Sequence, residues 1–314
     1  MRHSVLIPAF FFAGALSALA SVDTGLLSLV PVQAKIVGSV DVNRARNSDF
    51  GQYLLSKAQS EDSNFQEMMD QTGFDPRRDL QNVMFATAGP RVPGKASSFA
   101  ILARGNFDAG RIKTLAIGKG ATVVSYHGLD MIVHAHDKGQ QTAIGFPDAG
   151  VAVMADLDTL KEVIDNRAMP TTLDPNLQSK IASIGANNDA WYVSLVGAGF
   201  LGAHMATAGA PQARALQGVV ESSGGVKLGS MIEATMDAVT RSAQDATSLS
   251  DVIRFMASMV QMQRQNDPRA AILATALDGM TLQSSGPAVH FAVSLPEKSL
   301  EELAEAGSHA MGGH

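Results

Sequence analysis

ATVVSYHGLDMIVHAHDKGQQTAIGFPDAGVAVMA, residues 121–155, decides the fold class. It divides into four β-branched or alternating runs: Ala121–His127, Met131–His136, Gln141–Phe146 and Gly150–Ala155. Gly128-Leu129 separates the first two, and Pro147-Asp148 the last two. Connections this short join antiparallel neighbours, because a parallel pair needs a long crossover. Asp156 then caps a helix in which Leu157, Leu160, Val163 and Ile164 share one face. Strands in hairpins followed by a helix give an α+β protein built on antiparallel sheet.

Working toward the N-terminus, IVGSVDV (36–42) is a further strand. Ser48 or Asp49 caps a helix carrying Phe50, Tyr53, Leu54 and Ala58 at helical spacing. A second helical stretch, Phe65–Thr72, ends at Gly73, and Asp75–Asp79 forms a turn. Asn82–Ala88 and Ser98–Arg104 are strands joined by the loop Gly89–Ala96, and Asp108 opens a helix with Ile112, Leu115 and Ala116. The order strand-helix-strand-strand-helix-strand from Ile36 to His127 is that of a ferredoxin-like, split βαβ unit.

Toward the C-terminus, Met169–Pro175 holds two prolines in seven residues and marks a boundary. The expected organisation is a signal peptide (1–20), an N-terminal α+β domain (21–168), a linker (169–176), a C-terminal α+β domain (177–306) and a flexible tail (307–314). The second domain is read as a short helix, the strand Ala190–Val196, a helical region to Val220, and a strand Val226–Met236. A helix follows, started by Ser248-Leu249-Ser250-Asp251, and then the strands Thr281–Ser285 and Ala288–Leu295 and a helix over Leu300–Ala306. Asp75-Pro76-Arg77 and Asp267-Pro268-Arg269 each precede two strands and a helix, so the α+β unit is a candidate duplication.

The first residues specify export. Met1-Arg2-His3 is basic, Val5–Leu19 is apolar, and Ala18-Leu19-Ala20 offers signal peptidase its small-x-small site. Val32-Gln33-Ala34 is a second site, and retention as an N-terminal anchor is the competing outcome. The expected location is therefore periplasmic or secreted, with membrane contact only through that segment if it stays uncleaved. The chain has no cysteine, which removes disulfides and thiolate chemistry. A net charge of −6 without a basic run argues against nucleic acid as a partner.

Two glycine-rich segments imitate nucleotide sites. Gly197, Gly199 and Gly202 follow a strand, and Glu221 lies nineteen residues beyond Gly202, the spacing of a dinucleotide fingerprint. Gly209 and Pro211 break the helix that should follow, and an exported protein rarely meets nicotinamide cofactors. Gly89–Ala96 approximates a phosphate loop, but Ala96 replaces the magnesium-binding hydroxyl, and Pro90 and Pro93 lack the N–H groups a phosphate cradle uses. A hairpin loop is the better reading there.

His134 and His136 share one face of a strand beside Asp137, a partial metal-ligand set without an identified third member. Met256, Met259 and Met262 could hold Cu(I), but Met256 and Met259 fall on the apolar stripe of their helix, where core packing is expected. Neither a nucleophile elbow nor a His-Glu-x-x-His pair is present, so no catalytic pair is selected.

Several stretches together resemble a family of exported bacterial proteins with no established activity. They are the signal segment, LLSLVPVQAKIVGSVDVNRA (26–45), DFGQYLL (49–55), TGFDPRRDLQNVMFATAG (72–89), FAILARGNFDAGRI (99–112), Tyr126-His127-Gly128 and AVMADLDTLKEVID (152–165). The resemblance implies a secreted or periplasmic α+β protein without a known cofactor, and it carries over no catalytic residue. The leading expectation is a non-enzymatic binding or interaction module for a protein or envelope partner. Its exposed strand edges and Met-bearing C-terminal helices are the surfaces suspected of contacting that partner. The alternatives are a dinucleotide-dependent oxidoreductase using Gly197–Gly202 and a metal-handling protein using His134 and His136.

Overall fold

A computed structural model describes residues 22–58, 63–89, 98–135, 141–169, 172–197 and 215–311. Its strands are β1 (Ile36–Asp41), β2 (Leu80–Thr87), β3 (Phe99–Gly105), β4 (Thr122–Tyr126), β5 (Leu129–Ala135) and β6 (Gln141–Asp148). The remainder are β7 (Val151–Asp156), β8 (Ala190–Ser194), β9 (Val219–Lys227), β10 (Met231–Thr240), β11 (Thr281–Ser285) and β12 (Ala288–Pro296). They form one twelve-stranded sheet in the order β11-β12-β10-β9-β8-β1-β2-β3-β7-β6-β5-β4. All described pairings are antiparallel. The protein is α+β, as the hairpin-rich sequence requires.

The helices are α1 (Thr24–Leu27), α2 (Val42–Asn47), α3 (Asp49–Ala58), α4 (Ser63–Thr72), α5 (Pro76–Asp79) and α6 (Ala109–Gly118). After them come α7 (Leu157–Ala168), α8 (Pro175–Gly185), α9 (Ala243–Gln263), α10 (Pro268–Asp278) and α11 (Glu297–Met311). Aspartate starts many of them. Asp41, Asp75, Asp108, Asp156, Asp174 and Asp267 each accept a backbone N–H from the first turn. Proline follows Asp75, Asp174 and Asp267 at the first helical position, where its missing N–H costs nothing. The Asp-Pro-Arg echo is therefore a helix-start device, and its two copies precede unlike strands, β2 and β11.

A ferredoxin-like unit is not what the described strands form. That unit sets parallel strands side by side, whereas β1 lies between β2 and β8 and is antiparallel to both. A different correspondence joins the halves. β1-β2-β3 and β8-β9-β10 are each a three-stranded run; α6 and β4–β6 follow the first, α9, α10 and β11 the second, and the chain returns so that β7 pairs with β3 and β12 with β10. The sheet is continuous across residues 169–176, because β1 and β8 are hydrogen-bonded neighbours.

Local differences from the sequence reading have local causes. The first hairpin turns at His127-Gly128, with φ of 49° and 79°, as a two-residue type I′ turn demands of both positions. The second turns at Ala149-Gly150, because Gly150 supplies φ of 75° while a bulge between Gly145 and Asp148 absorbs Pro147. The expected strand Val226–Met236 is two strands, β9 and β10, reversing through Leu228–Ser230. The helix expected from Ser248 begins five residues earlier at Ala243, where the Ser242 hydroxyl accepts from Asp245 N–H.

Which face of the sheet is core changes along it. One lateral row runs Val37, Ala86, Ala100, Ala155, Ala143, Val133 through the first half, every member buried. Leu26 of α1, Leu160 and Val163 of α7, and Leu177 and Ile181 of α8 pack on this side. Fully burying each large aliphatic side chain stabilises by about 1.5–3 kcal/mol. Followed the other way from Val37, the same row becomes Val193, Ser223, Asp237, His290 and Gln283, which is polar and largely open beyond Val193. In the second half the core lies on the opposite side. There Val219, Ala238 and Val289 pack against Ala246 and Leu249 of α9, and Ile232 and Leu295 against Ala276 of α10.

Candidate functional site

Changing the covered face leaves apolar surface in the middle. On the α9 side one lateral row crosses all twelve strands: Leu282, Phe291, Met236, Gly224, Tyr192, Gly38, Phe85, Ile101, Met154, Ile144, Ile132 and Val123. No member is charged. Its centre opens as a shallow groove of about 420 Å³ over β2, β1, β8, β9, β10 and β12. Phe85, Val40, Tyr192, Val226, Met236 and Phe291 supply its apolar walls. Phe85 is 37% and Val40 41% exposed, although both lie near the centre of a large sheet.

Glycines set the depth of this groove. A Cβ on Gly224 would lie 2.6 Å from Tyr192 Cε1, and one on Gly38 would collide with the Phe85 ring. Both rings therefore lean flat across neighbouring glycines instead of standing up and filling the space. Burial pushes the Tyr192 hydroxyl above the usual phenol range, against the opposing pull of its hydrogen bond with Ser222. Tyr192 is thus a neutral polar group at an otherwise apolar wall. Such a surface offers burial, with Tyr192, Ser39 and Thr235 as its hydroxyl-bearing lining residues and no charged one.

Below one end of the groove the two halves are tied by Asp189, whose side chain is 4% exposed. It accepts from Arg44 Nη1 at 3.0 Å and from Leu228 N–H at 2.7 Å, linking α2 to the β9–β10 turn. Its backbone carbonyl accepts from Asp41 N–H, and its N–H donates to Val226. Trp191, the only tryptophan, lies two residues on and is 7% exposed.

Gly197, Glu221 and His134, the described members of the sites expected from sequence, do not line this groove. Gly197 follows β8, and a Cβ there would be 2.8 Å from the Val219 carbonyl, so its small size serves a close backbone approach. Gly199 and Gly202 lie outside the described residues. Glu221 is on β9, accepting from Asn176 at 3.1 Å and pairing with Lys180 at 3.3 Å, both on α8. The flanking strands β8 and β9 are antiparallel, whereas a dinucleotide-binding βαβ unit joins parallel ones. His134 is exposed on β5 opposite Thr142, and His136 and Asp137 lie outside the described residues. Among the described residues no three His, Asp or Glu side chains gather as a metal site. Pro90–Ser97 also lie outside them, but β2 and β3 on either side pair as an antiparallel hairpin.

The methionines depart from expectation. Met256 and Met259 are 46% and 41% exposed, and Met262 is 71% exposed. Steps of three residues fall about 60° short of a helical turn, so such a series rotates off any fixed face. The inward stripe of α9 runs through Ala246, Ser250, Ile253 and Ala257 instead.

Sequence reading missed the groove because β9 carries Ser222-Ser223-Gly224-Gly225, which lacks strand propensity and reads as a loop. The period-two patterns of β1, β2 and β8 were legible; their alignment into one row was not. No family model, no curated protein and no solved structure matches this chain.

Proposed function

We propose that this protein is a non-enzymatic binding module of the cell envelope whose groove takes a slender apolar ligand, an acyl chain by chemistry. The observation that carries this reading is the uncharged groove over β2-β1-β8-β9-β10-β12, whose lining residues Phe85 and Val40 are exposed where a sheet centre is ordinarily covered. Five inter-strand steps make it about 24 Å long, and it is shallow, which suits a chain better than a compact ring system. Tyr192, on the third of the six strands, would offer its hydroxyl to a polar group on the ligand. Export, read from the N-terminal segment, supports an envelope location. The matching order of β1-β2-β3 with β7 and β8-β9-β10 with β12 supports descent of both halves from one duplicated α+β unit.

The test is titration with dansyl-undecanoic acid, reading energy transfer from Trp191, whose residue borders the groove. Saturable binding is expected, weakened roughly 10-fold or more by Phe85→Glu, since burying one Phe is worth about 1.5–3 kcal/mol. Absence of saturable binding, or equal binding by a folded F85E protein, refutes the reading.

A further inference from the structure

The two outer edges of the sheet are unlike. β11 has α9 against it, and its other side presents Thr281, Gln283 and Ser285. β4 has no strand beyond it among the described residues, and Thr122, Val123, Val124 and Ser125 are all exposed, with Val123 at 37% and Val124 at 41%. Edge strands are ordinarily guarded by a charge, a proline or a bulge, and β4 has none of these. α6 lies against β4 and β5 and adds Ile117, 50% exposed.

The backbone of β4 is poised for a partner strand. Tyr126 and Leu129 close the two-residue hairpin as a hydrogen-bonded pair, so bonding to β5 alternates through Tyr126, Val124 and Thr122. Val123 and Ser125 therefore direct their N–H and C=O groups away from β5, toward the free edge.

We propose that β4 pairs with β4 of a second copy of this chain, antiparallel about a twofold axis through Val124, making one continuous sheet. The occupant follows from self-complementarity. Val123 of each copy faces Ser125 of the other, and each such pair exchanges two backbone bonds. Val124 faces its own equivalent in the close, non-hydrogen-bonded position, where two valines pack and no charge opposes another. Closure by a twofold uses both β4 edges at once and leaves the polar β11 edges outermost, whereas β4-to-β11 pairing would propagate without end. The axis is perpendicular to the sheet, so both grooves open on the same side of the dimer.

The chain contains no cysteine, which permits a direct test. Val124→Cys should form a disulfide-linked dimer on mild oxidation, because the paired Cα atoms would lie about 4.5 Å apart, within disulfide range. Gln283→Cys on β11 should not. By sedimentation velocity at about 100 µM, a concentration suited to a modest edge contact, the wild type should be dimeric and Ser125→Pro monomeric. Ser125 N–H is not bonded to β5, so proline there removes an intermolecular donor while sparing the hairpin. A monomeric wild type, a folded S125P that remains dimeric, or cross-linking of Q283C as efficient as that of V124C overturns the proposal. Wild-type assemblies that lengthen with concentration overturn it too.

Discussion

Replacing Asp189 with alanine should loosen the junction between the two halves of the sheet more than any single exposed ion pair could. Two interactions disappear. The Arg44 bond at 3.0 Å is charge-assisted, a class worth about 1.5–3 kcal/mol. Arg44 is 38% exposed and rehydrates when released, so the lower end of that range applies. Leu228 N–H, bonded at 2.7 Å, loses its acceptor at a partly buried site, a cost of about 1–3 kcal/mol. Together these give a loss of about 2.5–4.5 kcal/mol, or roughly 4–7 °C in Tm for a chain of this size. Asp189→Asn keeps an acceptor for Leu228 and forfeits only the charge, so it should cost about 1 kcal/mol. Urea unfolding followed by Trp191 fluorescence and by far-UV CD measures both variants, since the single tryptophan reports the junction itself. A loss below about 0.5 kcal/mol for D189A, the size of an ordinary surface substitution, or equal losses for D189A and D189N, would refute the assignment of Asp189 as the tie.

Gly224→Ala should destabilise by about 1–3 kcal/mol, because the added methyl meets Tyr192 Cε1 at 2.6 Å and the Thr235 carbonyl at 3.1 Å; urea midpoints at constant m-value would show it. Acid should act through Asp23. Burial works against its carboxylate, but the Arg104 side-chain hydrogen bond, the Leu26 N–H and the Arg104 charge together outweigh it and hold the pKa below the ordinary 3.8. With the folded value depressed, the unfolded chain binds the proton more readily. The contribution is therefore complete above the ordinary value and is lost as pH falls through the folded one. Melting temperatures scanned from about pH 7 to pH 2.5 should fall below about pH 4, and Asp23→Asn should lower Tm at neutral pH while flattening that acid limb.

The sequence by itself determined most of the elements. The four strands of residues 121–155, the caps at Asp108 and Asp156 and the stop at Gly73, with φ of 73°, follow from side-chain period, capping chemistry and backbone freedom, all local properties. Tertiary structure decided three further matters. It placed β8 between β1 and β9, it made a strand of the Ser-Ser-Gly-Gly stretch by laying Tyr192 across Gly224, and it moved the helical cover from one face to the other. Alternation fixes which side chains of one strand share a face, but it names neither the neighbouring strand nor the face that will be covered. In β2, Met84 is fully buried while Phe85 beside it is 37% exposed, and both are large and apolar. Only the packing of α1, α7 and α8 over one face distinguishes them, and the groove is what that packing left open.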